Sequence, residues 1–320
     1  VLARKGSLQV TLVATLLNEE DSLPGWWRSI TEQTRLPDEV IVVDGGSWDN
    51  TVALLQALST DAPFSTHIEV LRDSNIAEGR NQAIAKASHD VIAVTDGGCV
   101  LDKNWLENIV APMESDGDVS LVAGFYQPLP GNWFQDLVAC ATIPTGREIR
   151  EASFMPSSRS LAFKKVVWDE AGGYPEWLEI GEDMYFNHAW KQAGIKHVMA
   201  AEALVYWKMR ENLGSLFKQY FLYARGDGQS GMYPERHALR FATYGAIAFI
   251  GGTRNRKLAA AALPPALVYA GKRWQRIPSY MGGRPAWQKM ASIPAISGLM
   301  FLIDVAKMAG YLSGLRERKP

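Results

Sequence analysis

Short apolar runs alternate with stretches of helical periodicity over residues 9–125, and this alternation restricts the fold more than any other feature. Residues 9–17, 39–44 (EVIVVD), 68–71, 90–95 (DVIAVT) and 119–125 read as strands. Residues 22–34, a segment capped by Asp49 and running to Leu58, 76–87 and 103–113 read as helices. Strands that are apolar on both faces need cover on both, and interleaved helices supply it. The expected fold class is α/β, a mostly parallel, Rossmann-like sheet flanked by helices. Ligands of such sheets lie beyond the carboxyl ends of the strands. Those ends carry residues 15–20, 44–49 and 96–99, so one acidic cleft with Glu19, Glu20, Asp44, Asp49 and Asp96 is expected.

Several function classes drop out. No G-x-G-x-x-G follows any of these strands and no G-x-x-x-x-G-K-[ST] occurs, which argues against a dinucleotide-dependent dehydrogenase and a phosphate-loop ATPase. The two cysteines, Cys99 and Cys140, are too few for a disulfide framework and lie outside any C-x-x-C pattern. The five histidines show no metal-ligand spacing. The apolar stretch near the start is short and β-rich, and reads as a strand rather than a signal peptide.

The net charge of −1 hides a division. Residues 1–206 hold 15 Lys/Arg against 29 Asp/Glu, whereas residues 207–320 hold 18 against 5. A basic half suits an anionic partner, either lipid headgroups or nucleic acid. This half is strongly apolar and carries no nucleic-acid reader motif, so an anionic membrane surface is the expected partner and nucleic acid is not. Beyond residue 206 the chain reads as helical. Residues 239–250, 258–269 and 293–315 are apolar, with Pro264, Pro265 and Pro294 interrupting or opening them. The first two run for about 12 residues, or about 18 Å, well short of the roughly 30 Å hydrocarbon core. Arg254, Arg256 and Lys257 link them and suit anionic headgroups. A peripheral or monotopic position is therefore expected.

The order of TLLNEE, VIVVDGGSWDNT, NIAEGRNQAI, VIAVTDGGC and IGEDMYFNHAWKQAG resembles that of family-two glycosyltransferases of the GT-A fold, over about residues 8–230. The resemblance implies a GT-A domain over residues 1–230, with a donor half at about 8–125 and an acceptor and base half at about 126–230. A helical, membrane-associating region at 231–320 would follow. It also implies roles. Thr15, Asn18 and Glu19 would border the nucleobase, and Asp44 would bind base or ribose with Ser47 shaping its turn. Arg80 would reach the base or hold the acidic cluster. Asp96, with Gly97 beside it, matches the first carboxylate of a D-x-D motif that touches ribose and metal. Glu182–Asp183 matches the motif that supplies the catalytic base, with Asp183 preferred. Gln219, Tyr223 and Arg225 fall where a Q-x-x-R-W motif would cover the diphosphate.

Some positions have a second reading. Asp44 and Asp49 also suit turn and cap roles, because GGSWDNT is good turn chemistry. Trp177 reads as core or as a platform for an acceptor sugar. Four positions depart from the family pattern. Gly45 replaces the second of a paired Asp, Leu17 replaces a base-stacking aromatic, Gly98 replaces the last D-x-D carboxylate, and Tyr206–Trp207 stand near an expected histidine. Mg²⁺ or Mn²⁺ is then weakly held or dispensable. Either Asp96 holds the ion through waters and the diphosphate, or basic residues such as Arg159 and Arg225 replace it.

The implied reaction is inverting transfer from a nucleotide sugar to a hydroxyl, with Asp183 as base. A lipid-linked or envelope-polysaccharide acceptor at the cytoplasmic face of the cell membrane would complete it. The alternatives are a catalytically weak or dead nucleotide-binding scaffold, and a soluble transferase with a non-lipid acceptor.

Overall fold

The computed structural model describes residues 8–151, 154–253 and 255–318. Arg254, in the basic link between two apolar segments, lies outside them. The chain forms two compact units, one from residues up to 127 with 150–207, the other from 128–149 with residues from 208 onward.

The elements follow the chain as β1 (Val10–Leu16), α1 (Leu23–Thr31), β2 (Glu39–Asp44), α2 (Thr51–Ser59), β3 (Ser65–Val70) and α3 (Ile76–Lys86). Next come β4 (Val91–Asp96), β5 (Cys99–Leu101), α4 (Trp105–Ser115), β6 (Leu121–Pro128) and α5 (Trp133–Thr142). Then follow β7 (Leu161–Lys164), α6 (Lys165–Glu170), α7 (Glu182–Gln192) and β8 (His197–Trp207). The remainder is helical: α8 (Leu213–Ser230), α9 (Pro234–Thr253), α10 (Arg256–Trp274), α11 (Ile277–Tyr280) and α12 (Ala286–Glu317).

The first unit is built on one sheet of order β3-β2-β1-β4-β7-β6-β8-β5. The α/β class expected from the alternation forms, but the sheet is mixed rather than mostly parallel. Its β3-β2-β1-β4 half is parallel, whereas β7 runs antiparallel to both β4 and β6, and β8 to β5. All six residues of β2 are buried, which explains the unbroken EVIVVD run. Side chains alternate between two cores. Leu12, Val40 and Val42 join Trp26, Trp27 and Trp105, and Val13, Ile41 and Val43 join Ile84, Phe163 and Trp190. Each such large apolar side chain stabilises the fold by about 1.5–3 kcal/mol.

Local departures from the sequence reading have physical reasons. β3 starts at Ser65, earlier than its apolar run, because Ser65, Thr66 and His67 pair with Glu39, Val40 and Ile41 at a half-exposed sheet edge. β5, three residues long, is too short to announce itself. α10 continues through Pro264 and Pro265, and α12 begins at Ala286 and runs through Pro294. Flanking Ala and Leu, strong helix formers, carry the backbone past the missing donors.

In the second unit α12 packs along α8 at very short range. A Cβ at Gly310 would overlap the Phe221 carbonyl, and one at Gly314 the Arg225 carbonyl. The charges of α12 find partners within the same unit. Asp304 accepts from Arg240 Nε at 2.8 Å and from the Tyr244 hydroxyl at 3.0 Å, and Glu317 pairs with Arg225 at 2.7 Å. Lys307 lies 5.0 Å above the Tyr220 ring, and burial pushes its ammonium down to about 8. α12 is long and apolar enough to cross a membrane by length and composition. α9 and α10 differ: from residue 242 to 269 nearly every described side chain is exposed or half-exposed, Phe249 at 67% and Val268 at 65% among them.

Candidate active site

Strand register puts the chemistry in one place. Asp44, the last residue of β2, lies beside Leu16, and Asp96, the last of β4, beside Thr15. The carboxyl ends of three parallel strands thus finish level, and their loops share one edge.

The turn after β2 is closed on itself. Asp44 Oδ1 accepts from the backbone N–H groups of Gly46 and Ser47 at 2.9 and 2.7 Å, and Oδ2 accepts from the Ser47 hydroxyl at 2.6 Å. With its carboxylate fully buried, Asp44 shapes the turn. Asn18 has φ 56° and ties the β1 loop to this turn. Its N–H donates to Ser47 Oγ at 2.8 Å, and its Oδ1 accepts from the Trp48 N–H at 3.0 Å. The Glu19 N–H donates to Thr51 Oγ1 at 2.8 Å, and Glu19 itself accepts from the Ser22 hydroxyl. Asp49 Oδ1 accepts from Thr51 N–H and Oγ1 at 3.0 and 2.6 Å, which holds the start of α2. Trp48 and Leu17 stand exposed on this edge, at 85% and 54%.

A second cluster lies at the end of β4. α3 begins with a reciprocal cap, in which Asn75 Oδ1 accepts from Ala77 and Glu78 N–H while Glu78 accepts from Asn75 N–H. One turn later Arg80 is almost wholly buried. It donates from Nη1 to Glu182 Oε1 at 2.6 Å and from Nη2 to Asp96 Oδ1 at 2.5 Å. Of its two expected placements, the geometry selects the acidic cluster. Glu182 and Asp183 open α7, where the helix dipole favours carboxylates. α7 is pinned by Asn187, which donates to the Pro156 carbonyl at 2.6 Å, and by Lys191, which donates to that of Phe154 at 2.7 Å.

The two carboxylates of α7 have different surroundings. Glu182 is buried against Arg80. Burial pushes its carboxyl up to about 7, with Arg80 opposing and Asp183 adding to the rise. Asp183 is half-buried, and burial also raises it, with Arg80 and Arg159 opposing and Asp96 adding to the rise. Asp183 Oδ1 accepts from Met184 N–H at 2.8 Å, and Oδ2 lies 3.4 Å from the Ser157 hydroxyl. Arg159 Nη1 donates to that same hydroxyl at 3.0 Å, and its Nε lies 3.6 Å from Asp96 Oδ2. The Arg159 guanidinium lies over the Trp207 ring at 4.1 Å and near the Tyr126 ring at 5.9 Å.

The model of Glycosyl transferase family 2 matches residues 11–166. The strand ends carrying Asp44 and Asp96 and the helix carrying Arg80 fall inside that span. Over that span, just under half of the chain, the sequence matches this family. Among curated relatives, O-antigen chain rhamnosyltransferase RfbN of Salmonella typhimurium is 28% identical over 229 residues, covering 67% of this chain and 71% of the relative. O-antigen chain rhamnosyltransferase WbaN of Salmonella anatum is 27% identical over 213 residues, covering 61% of this chain and 64% of the relative, so this chain spans just under two thirds of that protein's length. Among solved structures, the mannosyltransferase PcManGT of Pyrobaculum calidifontis, in complex with GDP-Man and Mn²⁺, superposes with a TM-score of 0.58 at 15% identity, covering 98% of this chain and 88% of that one. The fold is GT-A, as the motif order implied.

The fit of a divalent metal is decided at Asp96. Both of its oxygens face a guanidinium. Gly98, with φ 74°, carries no side chain, and a Cβ there would lie 3.0 Å from Glu19 Oε2. Trp207 offers a ring face rather than a ligand atom. Among the described residues no trio of His, Cys, Asp and Glu could hold a metal ion. The residues present do not fit one.

Other expected site residues fall elsewhere. Trp177 is 59% exposed, edge-on to Tyr185 at 5.4 Å. Gln219, Tyr223 and Arg225 belong to α8 in the second unit. Gln219 Nε2 donates to the Tyr223 hydroxyl at 2.9 Å, and Arg225 clasps Glu317. The sequence reading missed Ser157, and it missed the stacking partner of Arg159, because both depend on contacts between distant segments.

Proposed function

We propose that this protein is an inverting glycosyltransferase that moves a hexosyl-type residue from a nucleoside-diphosphate sugar onto an acceptor hydroxyl by single displacement. Asp183 carries the reading. It is the accessible carboxylate of a buried charge cluster, held at a helix start and raised above the ordinary carboxylate range, which makes it a better proton acceptor. Asp183 takes the proton of the acceptor hydroxyl. The freed oxygen pair forms a bond to the anomeric carbon as the carbon–phosphate-oxygen bond breaks, and the electron pair of that bond leaves with the nucleoside diphosphate. Glu182, occupied by Arg80, acts as a positioning residue. Thr15, Asn18, Glu19 and Gly97 border the donor, Ser47 and Asp44 set the turn beside it, and Trp48 and Leu17 offer apolar faces to the base. Trp177 suits an acceptor sugar. The test is a panel of nucleotide sugars with envelope glycolipid acceptors, followed by nucleoside-diphosphate release. Release with none of them contradicts the reading.

The acceptor is lipid-linked or a nascent envelope polysaccharide, met at the cytoplasmic face of the membrane. Support comes from two sides. Two of the curated relatives are named for O-antigen chains. Helices α9 and α10, the α9–α10 hairpin, expose Phe249, Leu263, Leu267 and Val268, with Arg256 and Lys257 at the start of α10 and Lys272 and Arg273 at its end. Apolar side chains bracketed by basic ones suit an anionic headgroup layer. Shallow insertion of this hairpin, with α12 packed along α8, is the arrangement we favour.

A further inference from the structure

We propose that Arg159 supplies the positive charge at the departing diphosphate, so that transfer proceeds without a divalent metal. The inference rests on the transferase reading above and concerns how that site neutralises its leaving group.

A nucleoside diphosphate that departs with an electron pair must meet fixed positive charge. The first unit offers two guanidinium groups at this point. Arg80 is 2% exposed at its side chain and already donates to two carboxylates, so it cannot turn to a ligand. Arg159 is 19% exposed, and its contact to Asp96 is long, at 3.6 Å. The Trp207 and Tyr126 rings hold its guanidinium plane, and the Ser157 hydroxyl links it to Asp183. The cation is therefore oriented before any donor arrives, which avoids reorganisation during reaction. A metal brought to Asp96 would face both arginines at once; Gly98 and the Trp207 ring give it no ligand, and the Glu19 carboxylate beside Gly98 already accepts from the Ser22 hydroxyl. As the bond from the anomeric carbon to the phosphate oxygen breaks, Arg159 donates to the oxygens that take up the electron pair. The proton of the acceptor goes to Asp183.

The test compares the full chain with Arg159→Met and Arg159→Lys, each with EDTA and with added Mn²⁺. Nucleoside-diphosphate release and calorimetric binding of nucleoside diphosphate are the readouts. The expected result is wild-type turnover within about twofold in EDTA, and a loss of order 10²–10³ in kcat for Arg159→Met that Mn²⁺ does not restore. Arg159→Lys, with charge but no planar stack, falls between. The EDTA arm on wild type needs no variant to fold. Wild-type turnover lost in EDTA and regained with Mn²⁺, or near-normal turnover by Arg159→Met, overturns the assignment and leaves the transferase standing. Neither turnover nor diphosphate binding under any condition removes both.

Discussion

Arg80 on α3 and Glu182 on α7 lie 102 positions apart in the chain and meet at 2.6 Å in the interior of the first unit. Asp96 completes the contact from the end of β4 at 2.5 Å. Burial works against the guanidinium charge, and the two carboxylates more than offset it. One side chain thus joins the end of β4 to the start of α7.

Arg80→Met should be strongly destabilising, because it leaves Glu182 buried without its partner. Breaking such a pair costs about 3–5 kcal/mol. Chemical denaturation of the purified variant checks this, and a loss below about 1 kcal/mol would show the pair to be solvated.

Activity should fall on the acid side at an unusually high pH. Asp183 must be ionised to accept a proton, and both α7 carboxyls are raised, Glu182 to about 7. The pair titrates together, so kcat should rise with pH toward about 7 and not level off near about pH 5 as a free carboxylate would allow. A pH–rate profile at saturating donor and acceptor decides it.

Close approach of α8 and α12 should make Gly314 intolerant of any side chain. A Cβ there overlaps the Arg225 carbonyl, so Gly314→Val should destabilise by about 1–3 kcal/mol or more. A matched change at Gly298, which has nothing within 4 Å, is the control and should be near neutral in packing. Thermal melting of the two variants gives the comparison.

Membrane attachment should depend on the α9–α10 hairpin. Ile247→Glu combined with Val268→Glu replaces two exposed apolar side chains by charges that anionic lipid repels. Flotation with anionic liposomes at low salt should drop several-fold for the double variant while its melting temperature stays near wild type. Equal flotation would locate attachment elsewhere.

The parallel half of the fold was readable because buried strands such as EVIVVD must be apolar throughout, and Asp44 and Asp96 were readable as their ends. Asp44 was placed at the base or ribose, with a turn role as its second reading. Only the hydrogen bonds from Gly46 and Ser47 show where its oxygens point. Arg159 stood out only through the resemblance, since its stack on Trp207 joins β8 to a segment before β7 that has no periodic pattern. α12 was read from residue 293 because Pro294 suits a helix start, whereas the helix begins at Ala286 and runs through Pro294. Asp304, inside the span read as helix, finds its partners in Arg240 and Tyr244, which no local pattern announces. Long-range pairing leaves no local signal, and that is where the sequence reading fell short.

The central claim is that Asp183 is the base, and Asp183→Asn tests it most directly. Initial rates are measured at saturating donor and acceptor, with donor affinity measured alongside by calorimetry. The account expects kcat to fall by on the order of 10²–10⁴ while donor affinity stays within a few-fold of wild type. Near-normal turnover by Asp183→Asn would contradict it.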